Sequence, residues 1–524
     1  MDGRNLDRWV VVVALCFGVA PLWASHALPL VDLPQHLHLI SVLHRLDDAS
    51  TLFPEFFARR PQLTPYLGYY YSVSLLNWLF PLELANRIFL SAYVAGLPLS
   101  LMFLLKSLKR PAWPALLAIP FAYGDSFAWG FVNYCSALPL AFLTCGLFAR
   151  TVFDQPKRKT WGIGLAVALS AVLLFHVQVF IWLAFALPLL LVMTRAPEDG
   201  SGWNARLQAR VPALVGVVPA VLLFFIWFGG RFGEPEEIAP GQPWKSWGPV
   251  LSPQNLSFKT YEQNKAELIP VLSGMLRDQG DAFAVNLTLV LAGLAVLAAL
   301  VTGREVKEAL VERWRIVGLA AIALILYFAL PFDIRGYMYY LNTRYAHLAA
   351  ALIVCVVPPL KPKFARVGLF AGAIVAIATA MPLWKGFKAF DQEAQAVAQL
   401  AAYASEKPRV MGLIYNTGSA SMTHPVWLHA STVIARERGG ITNFTFAVTP
   451  HSPVMYREGK VPPTFASEWR PDTMDWASQG AAYDHFLIRG APPDRVLGAQ
   501  LASGQLKVAA QAQDFWLVTR GNAR

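Results

Sequence analysis

Apolar stretches of about twenty residues recur from the start of the chain almost to residue 385, and this limits the fold more than any other feature. A backbone in hydrocarbon has to bond to itself, so stretches of this length become membrane-spanning helices. They run at about 9–31, 65–82, 84–106, 131–150, 162–194, 211–229, 282–302, 316–331, 345–360 and 367–384. As one helix, 162–194 would extend about 50 Å at 1.5 Å per residue, too long for a hydrocarbon core of about 30 Å. It is read as two spans turning near His176 and Gln178, which brings the expectation to about eleven transmembrane helices. Composition agrees: the chain is 15% charged, against about 25% in an average soluble protein. The fold class expected is an α-helical polytopic membrane protein, located in the cytoplasmic (inner) membrane if the source is bacterial.

The net charge of +11 invites a nucleic-acid reading, but the basic residues lie in short segments between apolar spans, without a basic helix or base-stacking motif. Topology explains them better, because retained loops carry Lys and Arg. With the N-terminus inside, the inner segments hold Arg87, Arg150, Lys157 to Lys159, Arg195, Arg206, Arg210, Arg304, Lys307, Arg313, Arg315, Lys361, Lys363 and Arg366. Lys106, Lys109 and Arg110 break the rule, since this count leaves them outside. Arg4 and Arg8 ahead of an apolar run that continues through Leu30 fit a retained anchor better than a cleaved leader. All four cysteines (Cys16, Cys135, Cys145 and Cys355) sit inside apolar stretches, so neither a disulfide framework nor a cysteine-based zinc site is expected.

The long outer loops are then 32–64, 107–130, 230–281 and 332–344, the third long enough to act as a cover. The first opens with Leu33, Leu37, Ile40 and Leu43 at helical spacing, which predicts a short helix lying along the membrane surface. Residues 1–390 form the membrane domain, and 391–524 turn soluble. There, strands are expected at Arg409 to Tyr415, Thr445 to Thr449, Asp484 to Arg489 and Gln513 to Thr519. Helices are expected at His424 to Arg438, closed by Gly439-Gly440, and near Asp472 to Gly480. This segment reads as a small α/β domain on the outer side.

Two carboxylates fall at the outer boundary, Asp32 and Asp125, and ionisable groups at that depth are costly unless they have a task. Partial desolvation there raises a carboxyl toward a general base's working range. The structural alternative for Asp32 is a helix cap ahead of Pro34, and for Asp125 a turn after Gly124. Arg344 and Arg335 frame a Tyr-rich outer segment and Arg59-Arg60 closes the first loop; an Arg fork suits a phosphate, though headgroup anchoring explains the same pattern. His36, His38 and His44 lack a companion ligand set at metal spacing, so a solvated or headgroup-facing role is expected. No Walker loop or nucleophile elbow occurs.

Four features carry a family resemblance: Asp32 after the first span and before an interfacial helix; Pro65-Tyr66-Leu67-Gly68-Tyr69-Tyr70-Tyr71; Leu84-Ala85-Asn86-Arg87; and Asn342-Thr343-Arg344-Tyr345. In this layout, across roughly residues 1–385, the chain resembles the GT-C superfamily of polyprenyl-phosphate-sugar-dependent membrane glycosyltransferases. The resemblance implies transfer of a sugar from a polyprenyl-phosphate carrier to a lipid, glycan or protein acceptor on the outer face. Asp32 would be the catalytic base and Asp125 the acid that orients acceptor or metal. Arg344, Arg335, Arg59, Arg60 and His36 would bind substrate or lipid phosphate. A divalent metal stays open as cofactor, because Leu33 follows Asp32 where many members carry a second acid, and Ser126 follows Asp125. A transporter or flippase of lipid-linked cargo and a catalytically inactive scaffold are the alternatives.

Overall fold

The computed structural model describes the chain except residues 1–2, 195, 197–199, 201, 230–236, 240–241, 244–251, 303–305, 336–337 and 522–524. About a third of the expected cover at 230–281, residues 230–236, 240–241 and 244–251, therefore lies outside the described residues. Among them, seven helices are long and apolar enough to cross a membrane, and four shorter apolar helices accompany them. The chain is an integral multi-pass membrane protein. All four cysteines are free thiols.

Helix α1 (Gly3–Val19) is followed by α2 (Leu33–His44), started by Pro34 in its first turn. The long apolar stretch divides as expected: one helix ends at Phe175, His176 is extended at φ −161°, and the next helix begins at Val177, its Gln178 amide donating to His176 Nδ1. After α3 (Asp125–Ala128) and α4 (Arg344–Ile353), α5 (Pro362–Ala401) runs unbroken through residue 391. Its forty residues extend about 60 Å, so it leaves the membrane layer and carries the C-terminal domain on its far end.

Two expected boundaries differ. The stretch at 65–82 forms only a ten-residue helix, Leu67–Leu76, about 15 Å long and too short to cross. The expected outer loop 107–130 instead contains Trp113–Tyr123, a wholly buried 3₁₀ run of about 22 Å. Exchanging one for the other keeps eleven apolar helices among the described residues, seven of them long enough to cross, but moves the ends of Leu82–Ser107. Arg110 now donates to the carbonyls of Val356 and Val357, at the same end as Lys361, and Lys109 lies over the Phe153 ring. The three anomalous cations thus join the basic end. Arg87 moves the other way, donating to the Ser25 and His26 carbonyls near the exit of α1.

Beyond α5 lies a mixed five-stranded sheet. With β1 (Phe57–Arg59) in the first loop, its strands are β2 (Arg409–Ile414), β3 (Ile441–Thr442), β5 (His485–Arg489), β6 (Leu506–Ala512) and β7 (Phe515–Arg520). Their order is β6-β7-β5-β2-β3, with β2 parallel to β3 and β5. Helix α6 (Ala430–Glu437) ends in a Schellman motif: Gly439 takes φ +67°, and the Gly440 amide returns to the Ala435 carbonyl. Strand β4 (Val454–Tyr456) lies outside that sheet and pairs antiparallel with β1, stitching the first loop to the C-terminal domain. The expected strand at 445–449 is a 3₁₀ turn, Phe446–Val448.

This docking changes the character of α2. Rather than lying on the membrane with one polar face free, it is buried nearly all round, with α6 packed on one side and Leu67–Leu76 on another. The sequence pattern for a surface helix was correct in period. The polar positions Gln35, His36 and His38 face protein instead of water.

Candidate active site

Asp32 occupies the N-cap position of α2, yet its side chain makes no capping hydrogen bond. Its backbone is fixed from the other side, the Asp32 amide donating to the Trp129 carbonyl (3.1 Å) and the Val31 amide to Ala128 (3.0 Å). Gly130 makes that approach feasible: at φ +83°, a Cβ there would lie 2.9 Å from the Asp32 nitrogen. Asp125 sits one turn earlier, because the Trp129 amide donates to the Asp125 carbonyl. About 6 Å of helix rise therefore separates the main chain at Asp125 from the residue that clasps Asp32. The second carboxylate enters through a tight turn at Gly124, where a Cβ would overlap the His347 ring.

Both carboxylates bear on Tyr340. Burial first, then Asp125 and Asp32 with Asp333, push its phenol up to about 12. Tyr340 packs on Trp129 and Phe131 and holds a left-handed backbone at φ +58°, costly for a residue with a Cβ and tolerated only where surroundings fix it. Phe131 in turn lies under Arg344, whose guanidinium carbon is 4.0 Å from the ring centroid. Asp32, Asp125 and Arg344 thus share one wall of aromatic residues, Trp129, Phe131 and Tyr340.

Arg344 is buried and largely committed. It donates to Gln178 Oε1 (3.0 Å), contacts His176 Nε2 (3.1 Å) and donates to the Tyr339 carbonyl (3.2 Å), while its Nε has no hydrogen-bond partner. His36 is buried too, bonded at Nδ1 to Tyr70 Oη (2.7 Å). Burial lowers it to about 4 despite nearby Asp32, so near neutrality it presents no cation to a phosphate. His38, expected at a wet surface, packs edge-on against Phe53 and Phe57, with neither nitrogen bonded; burial lowers it to about 3. Arg335 is exposed beside the short strand Asp333–Ile334. Exposed Arg59 lies on the β1–β4 seam, and Arg60 next to it donates to the Thr449 and Ser452 carbonyls.

Sequence reasoning did not find the histidines of the C-terminal domain. His424 Nε2 lies 2.8 Å from Asp125 Oδ1, and His429 Nε2 lies 3.5 Å from Asp32 Oδ1. The other nitrogen of His429 is 3.5 Å from Glu468 Oε2 and 3.2 Å from Gln35 Nε2. Burial pulls the His429 imidazole down, but Glu468 and then Asp32 outweigh it and leave it raised above its ordinary value. Burial raises Glu468 as well. The segment was expected to be helical from His424, but helix begins only at Ala430, which frees both rings to turn toward the membrane domain.

Among the described residues, no three His, Cys, Asp or Glu side chains converge as a metal would require. Asp125 has one nitrogen partner and Asp32 another, too few donors to assign an ion.

No protein-family model matches the chain, and no curated protein matches it. Solved structures do. ArnT from Cupriavidus metallidurans bound to undecaprenyl phosphate superposes with a TM-score of 0.52 at 12% identity, over 99% of each chain. The arabinofuranosyltransferase AftD from Mycobacteria superposes at 0.50 with 13% identity, over 98% of this chain and 40% of its own. Identity this low speaks for fold alone. Superposition over almost the whole of this chain shows that it has the fold of these proteins, the GT-C fold.

Proposed function

We propose that the chain is a membrane glycosyltransferase that moves a sugar from a polyprenyl-phosphate carrier to an acceptor, at the end of the bundle that carries Asp32 and Asp125. The observation that supports it most is that Asp32 stands at a helix N-terminus with its carboxylate unused for capping, its amide held by the Trp129 carbonyl one turn beyond Asp125. A carboxylate kept from its structural task and only 19% exposed is suited to proton transfer.

In this reading the acceptor O–H gives its proton to Asp32 as its oxygen attacks the anomeric carbon. The bond from that carbon to the phosphate oxygen breaks, its electron pair stays on the phosphate, and polyprenyl phosphate leaves. In the same reading the Arg344 charge stabilises the departing phosphate, and Asp125 orients the acceptor. The site faces the outer side, with the C-terminal domain, and acceptors of the lipid, glycan or protein classes reach it there. That ArnT is bound to undecaprenyl phosphate supports a carrier of this class.

The test is Asp32→Asn in a complemented deletion strain. The Asp32 side chain makes no capping bond for Asn to lose, so the variant inserts normally, but it cannot take a proton, and loss of a placed base costs about 10² to 10⁴ in rate. The modified product, followed by mass spectrometry, should disappear. Wild-type product levels would refute Asp32 as the base.

A further inference from the structure

The C-terminal domain contributes a side chain to each candidate carboxylate, and the contact at Asp32 is more than packing. His429 is 3% exposed and lies between two carboxylates, Asp32 at one ring nitrogen and Glu468 at the other. Gln35, from α2, donates its two amide hydrogens to the Phe444 carbonyl and to Thr432 Oγ1, its nitrogen 3.2 Å from His429 Nδ1, while the Phe446 amide donates to its Oε1. The Phe444 and Phe446 rings close the remaining sides. The charged and titratable groups facing His429 are therefore Asp32 and His36 from α2 and Glu468 from its own domain, and His36 is held neutral by burial.

His429 turns Nε2 to Asp32 and Nδ1 to Glu468, so a protonated ring would direct one N–H toward each carboxyl group. We propose that His429, backed by Glu468, is the positioning residue that holds the Asp32 carboxylate aimed and ionised, so that the C-terminal domain completes the catalytic site instead of serving as a separate binding module. This rests on the glycosyltransferase reading above. A cation beside a carboxyl group favours its ionised form, and only that form accepts a proton from substrate. His429 acts through Asp32 and need not touch the sugar.

The experiment uses spheroplasts expressing the full chain in a deletion background, with their own carriers and acceptors. The initial rate of product formation is followed while external pH is varied from about 5 to 9. His429→Gln keeps a hydrogen-bond donor but no charge; His429→Lys keeps the charge but loses the ring. An opposite charge at this range lowers a carboxyl by roughly one unit or more. The acid limb of the rate profile should therefore move up by about that much in H429Q, a tenfold slower rate at fixed pH on the limb, and stay close to wild type in H429K. Should Gln insert poorly, His429→Asn repeats the neutral arm. Limbs that coincide in all variants, whatever their absolute rates, overturn the inference and leave the enzyme reading intact. A wild type that forms no product overturns the enzyme reading, and this inference falls with it.

Discussion

Gly130→Ala tests whether the Asp32 main chain is held by the close approach of residues 128–130. Alanine at φ +83° costs about 1–2 kcal/mol for the left-handed conformation. Its methyl would also lie 2.9 Å from the Asp32 nitrogen and 3.1 Å from its Cβ, and the nearest atom is backbone, which cannot rotate aside. The Asp32 amide must then leave the Trp129 carbonyl, a loss of about 1 kcal/mol. The total of about 2–3 kcal/mol lies below the 5–15 kcal/mol typical of a folded domain, so the protein should still insert and fold. Activity should suffer more than stability, because a displacement of about 1 Å at a reacting group costs on the order of 10² in rate. The assay pairs thermal unfolding of the purified protein with product formation in the deletion strain. A G130A protein with both wild-type unfolding and wild-type rate would show that the clasp between 128–130 and 31–32 does not position Asp32.

Arg344→Lys keeps the charge but cannot hold Gln178, His176 and the Tyr339 carbonyl together; a loss of about 1–3 kcal/mol in stability is expected, with weaker retention of undecaprenyl phosphate in nanodiscs, and unchanged retention would remove Arg344 from the phosphate site. Stability should also fall on acidification: His36 and His38 are lowered to about 4 and 3, so between pH 6.5 and 4 the unfolded chain binds protons that the folded chain refuses. The loss is on the order of 3 kcal/mol for each, and His38→Leu should remove its share in an unfolding series against pH. For topology, in a background without Cys16, cysteine at exposed Ser503 should react with an impermeant maleimide in intact cells, and cysteine at Lys109 only after lysis; the reverse pattern would invert the bundle.

The polytopic helical class was legible because apolar length is a local property, and so was the break at His176, forced by a length no single crossing accommodates. What length alone left ambiguous was which short apolar run crosses. Leu67–Leu76 and Trp113–Tyr123 are similar in length, but Pro114 and Pro120 gave the latter run the character of a loop. The charge pattern had already marked the error at Lys106, Lys109 and Arg110. At the candidate site, Asp32 and Asp125 were singled out from their depth at the boundary and Arg344 from its Tyr neighbours. His424, His429 and Glu468 were not, since their significance depends on a domain folding back over a loop almost four hundred residues earlier. The same distance hid the burial of α2, whose amphipathic spacing describes a surface helix until another surface arrives.

The pairing of Phe57–Arg59 with Val454–Tyr456 also sets a schedule. At about 5–20 residues per second, roughly 20 to 80 seconds pass between synthesis of the two strands. Throughout that interval α2 has neither its α6 neighbour nor the histidines that face Asp32 and Asp125. The candidate site is therefore assembled only after every apolar helix has been made, because the strand that fastens its covering domain, Val454–Tyr456, follows all of them.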